Sequence, residues 1–166
     1  MAVDMFLKIS GIDGESADSK HKGEIDVLSF SWGVSNATRR AGTSKLGSGK
    51  TTVSDFSIMK ILDSASPRLF EACCQGEHIS DALLTLRKAG ESQQEYFKIK
   101  LNDVLISSVQ PGGSAGGDVG FEQVSLSFGS ALIEAARIDP KGQAIWTAAT
   151  TCGGSTVDLQ EFLEKR

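Results

Sequence analysis

Hydrophobic residues alternate with polar ones at a period of two along most of the chain. In the first such stretch Val3, Met5, Leu7 and Ile9 share one face, and Lys8 lies on the other. Alternation of this kind is typical of β-strands that bury one face. Further stretches of the same kind lie around residues 24–34, 51–61, 82–87, 97–101 and 123–128. The pattern therefore predicts a mainly β chain.

The stretch from Glu24 to Val34 separates large apolar residues from small ones. The large residues at every second position are Leu28, Phe30, Trp32 and Val34. The residues between them are Ser29, Ser31 and Gly33. We expect the apolar set to enter the core and the small set to face away from it.

Two short segments predict changes of chain direction. Asn102-Asp103 predicts a bend or bulge before Leu105-Ile106, because the alternation breaks there. Asp139-Pro140-Lys141-Gly142 has the residue types of a tight turn, and the flanking apolar residues predict a hairpin.

One segment has helical rather than strand character. Ser66-Pro67 predicts an N-cap followed by proline at the first helical position, and Gly76 predicts the C-terminal stop. The predicted inner face of this helix consists of Leu69, Phe70 and Cys73. A single short helix among about seven strands predicts a compact antiparallel β-barrel of two sheets with one short flanking α-helix.

Three segments are predicted to lie outside this barrel framework. Arg39 to Lys50 is polar, glycine-rich and too long for a simple hairpin turn, and Pro111 to Gly120 is a glycine-rich loop. Ser155 to Arg166 has the pattern of a short amphipathic helix with Leu159, Phe162 and Leu163 on one side. We expect one barrel domain over residues 1–150 and a divergent tail over residues 151–166.

The length of 166 residues suits a single domain with its own core. The net charge of −4 gives no reason to expect nucleic acid or an anionic membrane as partner. Three cysteines form no disulfide framework, and the adjacent Cys73 and Cys74 would make a strained bridge. We expect folding in a reducing cytosol, with neither a signal peptide nor a membrane-spanning segment.

A glycine-lysine stretch, Gly47 to Thr51, is similar to a phosphate-binding loop. The full motif needs a glycine where this chain has Ser44, and it needs a helix after the loop. The residues after Thr51 have strand character instead. The sequence therefore predicts no nucleotide site here.

No catalytic, cofactor or metal site is predicted. His21 and His78 are far apart in the sequence and lack a second ligand at zinc spacing, so each is expected at the surface or in a turn. Cys73 and Cys74 lie on the predicted helix, where one is expected to face the core as a small hydrophobe. Cys152 is expected as an exposed thiol.

The segment from residue 39 to residue 50 is strongly basic in a net acidic chain. Its cations are Arg39, Arg40, Lys45 and Lys50. A solvated loop is one interpretation, and a docking arm for an acidic surface is the other. Acidic residues near the first turn that could supply such a surface on a neighbouring copy are Asp13, Glu15 and Asp18.

Several motifs in a fixed order resemble the haemolysin-coregulated protein (Hcp) family. They comprise the N-terminal Met-Ala-Val-Asp-Met-Phe-Leu-Lys-Ile, Gly14-Glu-Ser, Glu24 through Gly33, Leu84 through Gly90, and Tyr96 through Val109. The resemblance covers about residues 1–135 and weakens after Ala135.

The resemblance implies a compact β-barrel that forms hexameric rings. In the family these rings stack into the inner tube of the type VI secretion system, which is expelled by contraction of an outer sheath. The partners that the resemblance implies are effectors and the sheath and tip proteins of the machine. The resemblance also implies a subunit that is cytoplasmic before assembly and is then exported through the machine. On this basis we expect Ser29, Ser31 and Gly33 to face the lumen and the basic segment to contact the next ring.

Two other functions stay open from the sequence. The ring could act as an effector chaperone or adaptor without building tubes. Alternatively, the chain could be a monomeric β-barrel that binds a small ligand.

Overall fold

The computed structural model describes residues 2–41, 45–47 and 49–150, with residues 39–41, 45, 46 and 150 described by their backbone alone. The strands of the large sheet are β1 (Val3–Ile9), β2 (Ile25–Asp26), β3 (Ser29–Ser31), β8 (Phe56–Ile61), β9 (Ile79–Lys88), β10 (Glu95–Gly112), β11 (Phe121–Ile138) and β12 (Ala144–Thr150). The smaller strands are β4 (Val34–Asn36), β5 (Arg39–Ala41), β6 (Lys45–Gly47) and β7 (Thr51–Val53). The helix α1 spans Ser66–Gln75.

The eight larger strands form one antiparallel sheet that curls back on itself. Its order is β2-β1-β9-β10-β11-β8-β3, and β12 pairs with the far end of β11. The two ends of this order are neighbours in the chain, since Val27 donates its N–H to Met5 of β1 and Leu28 donates to Met59 of β8. The segment from β2 to β3 therefore joins both edges. The predicted mainly β, antiparallel barrel fold with one helix is confirmed.

The core lies between the curled sheet and α1. The predicted alternation is confirmed in β9, where Ala82, Leu84 and Leu86 are buried, and in β10, where Ile99 and Leu101 are buried. Corresponding core residues from β1, β8 and β11 include Leu7, Ile9, Phe56, Ile58, Val124 and Leu126.

The prediction for the segment from Leu28 to Val34 is half wrong. Phe30 and Trp32 pack against the core, but Leu28 and Val34 are 53% and 66% exposed. The physical reason is that this segment is not one continuous strand. It changes pairing partner at Leu28, and after the three residues of β3 it leaves the sheet to enter β4.

At the bend predicted for Asn102-Asp103, β10 changes which of its alternate residues face the core, from odd-numbered to even-numbered positions. Buried positions are spaced by two on either side of it, but Leu101 and Val104 are both buried and three apart. Asp103 makes the exchange with a left-handed backbone at φ 53°. Gly129 of β11 lies opposite, where a Cβ atom would come within 3.2 Å of the Asp103 Cβ. The register is kept across this bend, from Asn102 with Ser130 to Val104 with Phe128, so both strands change faces together; it shifts further on, between Ile106 and Ser108.

The helix α1 begins and ends close to the predicted residues. Ala65 rather than Ser66 is the N-cap, and Gly76 ends the helix in the left-handed conformation. Leu69 and Ala72 are fully buried, whereas Phe70 is 53% exposed, so the expectation that Phe70 faces the core is wrong. Phe70 lies one residue after Leu69, about 100° further around the helix.

The two predicted turn regions differ in outcome. The hairpin at Asp139-Pro140-Lys141-Gly142 is confirmed, since the Asp139 N–H donates to Gln143 and β12 pairs with β11. The segment predicted as a long loop over residues 39–50 instead contains the paired strands β5 and β6. The helix predicted at 155–166, and the tail as a whole, lie outside the described residues.

Candidate functional site

An uncharged polar face covers four neighbouring strands on the outside of the sheet. Ser31 of β3, Ser57 of β8, Ser125 of β11 and Ser108 of β10 form one row, each paired with the next. The hydroxyl oxygens of Ser57 and Ser125 lie 3.0 Å apart and are hydrogen bonded. This surface, which we call the serine face, is built by strand register from residues far apart in the sequence.

The next row continues the same surface. It consists of Ser29, Met59, Gln123 and Gln110 in consecutive strands. A shallow depression of about 80 Å³ lies between the two rows on β3, β8 and β11. None of the eight residues in the two rows is charged. A surface of this kind offers hydrogen bonds but no strong electrostatic attraction to any one partner.

The serine face has a different border at each end. At one end Asp55 accepts hydrogen bonds from Ser107 at 2.9 Å and from Ser127 at 3.0 Å. At the other end the paired residues Ile61 and Phe121 are exposed large hydrophobic side chains. Leu62, which follows Ile61, and Val119, two residues before Phe121, are also exposed. An apolar border of this kind is typical of surfaces that are covered in an assembly.

Two of the three residues expected at this face belong to it. Ser29 and Ser31 are exposed members of the two rows, whereas Gly33 lies beyond β3, directly before β4. The Gly33 N–H donates to the Ser54 hydroxyl at 2.9 Å, and that hydroxyl donates back to the Gly33 carbonyl. Sequence reasoning missed Ser57, Ser125 and the other partners because only the register places them beside Ser31.

The basic segment projects from the barrel as a two-part β-ribbon. Strands β4 and β7 pair through Val34 and Val53, and β5 and β6 pair through Arg39 and Gly47. We call residues 34–53 the arm. Of the four predicted cations Lys50 is exposed, while the side chains of Arg39, Arg40 and Lys45 are outside the described atoms.

The three acids predicted as a docking surface are in different situations. Asp13 and Glu15 are exposed. Asp18 is bound within its own chain, because the two Arg87 nitrogens donate to its carboxylate at 3.0 and 2.6 Å. The hydrogen bond from Arg87 and the backbone N–H of Lys20 hold the pKa of Asp18 well below its usual range. Of these three acids, Asp13 and Glu15 therefore present exposed carboxylates to a partner.

His21 lies in a turn, one of its two expected settings, because the Glu24 N–H donates to its carbonyl, but its side chain is buried. His21 is 6% exposed and stacks on Phe6 with ring centroids 4.3 Å apart. Its Nδ1 atom lies 2.8 Å from a Glu24 oxygen, and its Nε2 atom lies 3.2 Å from a Glu95 oxygen without forming a hydrogen bond. The guanidinium of Arg87 lies over the same Phe6 ring. This cluster fastens the loop between β1 and β2 to the sheet.

A buried ion pair joins β8 to β11. Lys60 and Glu122 are 0% and 1% exposed and contact each other directly across the sheet. Asp63, at 2.8 Å, and Ser66 also bind the Lys60 ammonium group. The Ser66 hydroxyl donates to Glu122 at 2.6 Å, so the pair is tied to the first residue of α1. Burial of such a pair requires this full set of hydrogen bonds.

The remaining residues considered for chemistry lie in separate segments, before β7, on α1 and between α1 and β9. Lys50 is followed by strand β7, not by a helix, as expected. Cys73 packs against the core and Cys74 is exposed, also as expected, and Cys152 lies outside the described residues. His78 is exposed beside Asp103 at 3.2 Å. Across residues 2–41, 45–47 and 49–150, no cluster of three His, Cys, Asp or Glu side chains could hold a metal ion.

Helix α1 has ten residues. Within the described ranges, no helix combines the length and the apolar character that a bilayer crossing requires.

Comparison with known proteins gives consistent matches over most of the chain. The family model described as "Type VI secretion system effector, Hcp" matches residues 6–134. Protein hcp1 of Pseudomonas aeruginosa is 47% identical over 135 residues, which cover 81% of this chain and 83% of that protein. The crystal structure of Hcp1 from Salmonella typhimurium is 39% identical with a TM-score of 0.70, covering 89% of this chain and 94% of that one.

A second solved structure supports the same assignment. A structure of a type six secretion system protein superimposes with a TM-score of 0.81 at 31% identity, covering 90% of this chain and 92% of that one. The family model and the relatives agree with the motifs that run from β1 to β11. The chain belongs to the Hcp family of type VI secretion system proteins.

Proposed function

We propose that this chain is a structural subunit of the type VI secretion tube and not an enzyme. Six copies form a closed ring, and rings stack into a tube that is expelled together with its cargo. The single observation that carries this function is the serine face, which spans four strands without a charge. A passage for varied proteins needs a wall that hydrates well and attracts no partner strongly.

The serine face is the wall of the lumen in this proposal. Ser29 and Ser31 lie on it, and Ser57 and Ser125 extend it toward β10. The exposed Ile61 and Phe121 at its border are suited to burial against a neighbouring subunit. Burying such apolar area is the main stabilising contribution in a contact between copies.

A heavy-atom label on Ser31 tests where this face points. Ser31→Cys would be labelled with a monomaleimide gold cluster, and single particles would be imaged by electron microscopy. We expect extra density in the central hole of the ring. Label density on the outer perimeter would show that the serine face is not the lumen wall.

Ser64→Cys serves as the matched control, because Ser64 is exposed in the turn before α1 and lies off the serine face. Its label must be visible at a position other than that of Ser31. The unsubstituted protein, treated in the same way, gives the background from Cys74, which is exposed, and from Cys152.

The arm supplies the contact between rings in the same proposal. Its base presents the exposed pair Val34 and Val53, and its outer part holds the four cations. Asp13 and Glu15 are the exposed acids that a cationic arm of the next ring would meet. Contacts of this exposed kind weaken with salt, whereas apolar contacts within a ring do not.

A further inference from the structure

The loop between β1 and β2 is tied to the sheet through a buried histidine. His21 is 6% exposed, and its ring stacks on Phe6 of β1 at an interplanar angle of 7°. Within the loop, the His21 N–H donates to the Asp18 carboxylate at 3.2 Å. The ring therefore has a fixed position between the loop and the sheet.

Each ring nitrogen of His21 faces a carboxylate oxygen. Nδ1 lies 2.8 Å from Glu24 Oε2, and Nε2 lies 3.2 Å from Glu95 Oε1. A neutral imidazole carries one N–H, whereas an imidazolium carries two. When the neutral ring donates to Glu24, its Nε2 lone pair faces the Glu95 oxygen, and among the described residues this buried nitrogen has no hydrogen-bond partner. A proton on Nε2 would turn this contact into an attraction between opposite charges.

Glu95, the first residue of β10, is an acceptor whose position is fixed. The Lys98 ammonium group lies 2.7 Å from its other carboxylate oxygen. Burial raises the pKa of Glu95, but the hydrogen bond and charge of Lys98 and the contact with His21 lower it by more. Glu95 is therefore an ionised acceptor over the pH range in which imidazoles change charge.

The other charged groups around the ring come from β1, the loop itself and β9. They are Asp4, Asp18, Glu24 and Arg87. Hydrogen bonds with Asp18 and Asp4 raise the pKa of Arg87, and Arg87 in turn lowers the pKa of Asp18. Lys20 and Lys22, the chain neighbours of His21, are exposed. Imidazole is the side chain that ordinarily changes charge between about pH 5 and about pH 8, so a change of pH in this range acts on the cluster through His21.

We propose that His21 is a pH-operated latch for the loop between β1 and β2. In the protonated state its two N–H groups donate to Glu24 in the loop and to Glu95 at the start of β10, so the loop is tied to a second strand besides β1. Loss of the Nε2 proton as the pH rises leaves a lone pair opposite an ionised oxygen, and the contact with β10 opens. The latched state is therefore favoured at the lower end of the imidazole range.

The latch acts on a loop that carries two exposed acids, Asp13 and Glu15. The loop closes on itself directly beside them, since the Gly14 N–H donates to the Gly23 carbonyl at 2.8 Å. Holding the loop at His21 therefore also limits the movement of these carboxylates. The latch concerns a single protomer and does not depend on ring assembly, so it goes beyond the proposed function.

Hydrogen exchange of the loop amides tests the latch in the full chain. The amides of Gly14, Ser16 and Gly23 are hydrogen bonded across the loop, so their protection relative to the intrinsic exchange rate reports its opening. Mass spectrometry would measure this protection at about pH 5 and about pH 8. We expect severalfold higher protection at the lower pH in the unsubstituted protein. In Glu95→Gln, which removes the charge that faces Nε2, we expect the same protection at both.

Glu91→Gln is the matched control, because Glu91 is exposed in the turn between β9 and β10. It removes the same charge and should keep the pH dependence of the unsubstituted protein. Protection that is equal at the two pH values in the unsubstituted protein would contradict the latch. An undiminished pH dependence in Glu95→Gln would contradict it too, because the effect would then come from another group.

Deuterium uptake at the imidazole C2 carbon provides an independent readout, because it follows the protonation of each histidine separately. We expect the pH midpoint of His21 to be lower in Glu95→Gln than in the unsubstituted protein, since an adjacent carboxylate favours the charged ring. His78, exposed beside Asp103, is the internal control whose midpoint does not change. Equal His21 midpoints in the two proteins would overturn the proposal, even where Glu95→Gln has loosened the loop.

Discussion

At the scale of single residues, ionised side chains in the interior connect loops to the sheet. Arg87 binds Asp18 and Asp4, and Lys60 binds Glu122 together with the turn before α1. Each cation has more than one oxygen partner, which is what a charge needs once it is removed from water. These contacts fix the loop between β1 and β2 and the start of α1.

The Asp18–Arg87 contact predicts a specific dependence of stability on pH. Arg87 depresses the pKa of Asp18 in the folded state, so its stabilising contribution is complete above the ordinary aspartate pKa of about 3.9 and is lost as the pH falls below it. Asp18→Asn should therefore lower the free energy of unfolding most near pH 7. The difference from the unsubstituted protein should shrink toward pH 3.

Urea unfolding at fixed protein concentration and several pH values measures this difference. Asp13→Asn makes the same change of charge on an exposed residue of the same loop and is the matched control. A gap between the unsubstituted protein and Asp18→Asn that is independent of pH would contradict the assignment.

Some of these interior charges were accessible from the sequence and some were not. Lys60 follows Phe56 and Ile58 at the core-facing positions of β8, and Glu122 precedes Val124 and Leu126 in the same way. Two opposite charges at core-facing positions are a readable signal for a buried pair. His21 had no such signal, because its burial depends on stacking against Phe6 in another element.

At the scale of elements, the two 18-residue strands β10 and β11 serve both halves of the sheet. Their exchange of faces at Asp103 and Gly129 changes which parity of residue is buried. Before the exchange Lys98 and Lys100 face outward, and just after it Val104 and Ile106 are buried. A register shift between Ile106 and Ser108 then returns Ser108 and Gln110 to the outward face. One pair of strands thus carries outward lysines at one end and part of the serine face at the other.

The left-handed backbone at Asp103 predicts a graded response to substitution. Asp103→Val should lower the free energy of unfolding by about 1–2 kcal/mol, because a β-branched residue is strained in this conformation. Asp103→Gly should be neutral or slightly stabilising. Both variants lose the exposed His78 contact, so their difference isolates the backbone effect.

Denaturant unfolding compares the two variants, with Asn102→Val as the control at a neighbouring strand position. If Asp103→Val and Asp103→Gly are equally stable, the face exchange does not depend on this backbone conformation.

Periodicity predicted the elements well because it reports local burial. It found the core faces of β9, the helix from Ser66 to Gly76 and the hairpin after Ile138. It failed at Leu28 and Val34, where alternation continues although the pairing partner changes. The serine face was found only at Ser29 and Ser31, because its rows depend on long-range register.

At the scale of the whole molecule, the chain presents several distinct surfaces. The rows of the serine face are uncharged, exposed hydrophobic residues border it at Ile61 and Phe121, and the arm follows the end of β3. A ring needs a contact between two different patches whose rotation closes, and stacking needs a second contact between ring faces. Separate surfaces on one subunit allow these contacts to be changed independently.

Charge reversal on the arm should separate stacking from ring formation. In the double variant Arg39→Glu, Arg40→Glu, we expect rings to persist in size-exclusion chromatography and tubes to disappear by electron microscopy. Raising the salt concentration should shorten the tubes of the unsubstituted protein in the same way, because exposed ion pairs are screened. Asp139→Lys, a charge reversal in the β11–β12 turn, is the control that keeps its tubes. Unchanged tubes in the double variant would contradict the stacking role of the arm.

Ring formation is tested most directly by the mass of the purified chain in solution, measured by light scattering coupled to size-exclusion chromatography. We expect a species of six 17.6-kDa chains, or about 106 kDa, with annular particles in the same fraction by negative-stain electron microscopy. A 17.6-kDa species at every concentration, without annular particles, would contradict it.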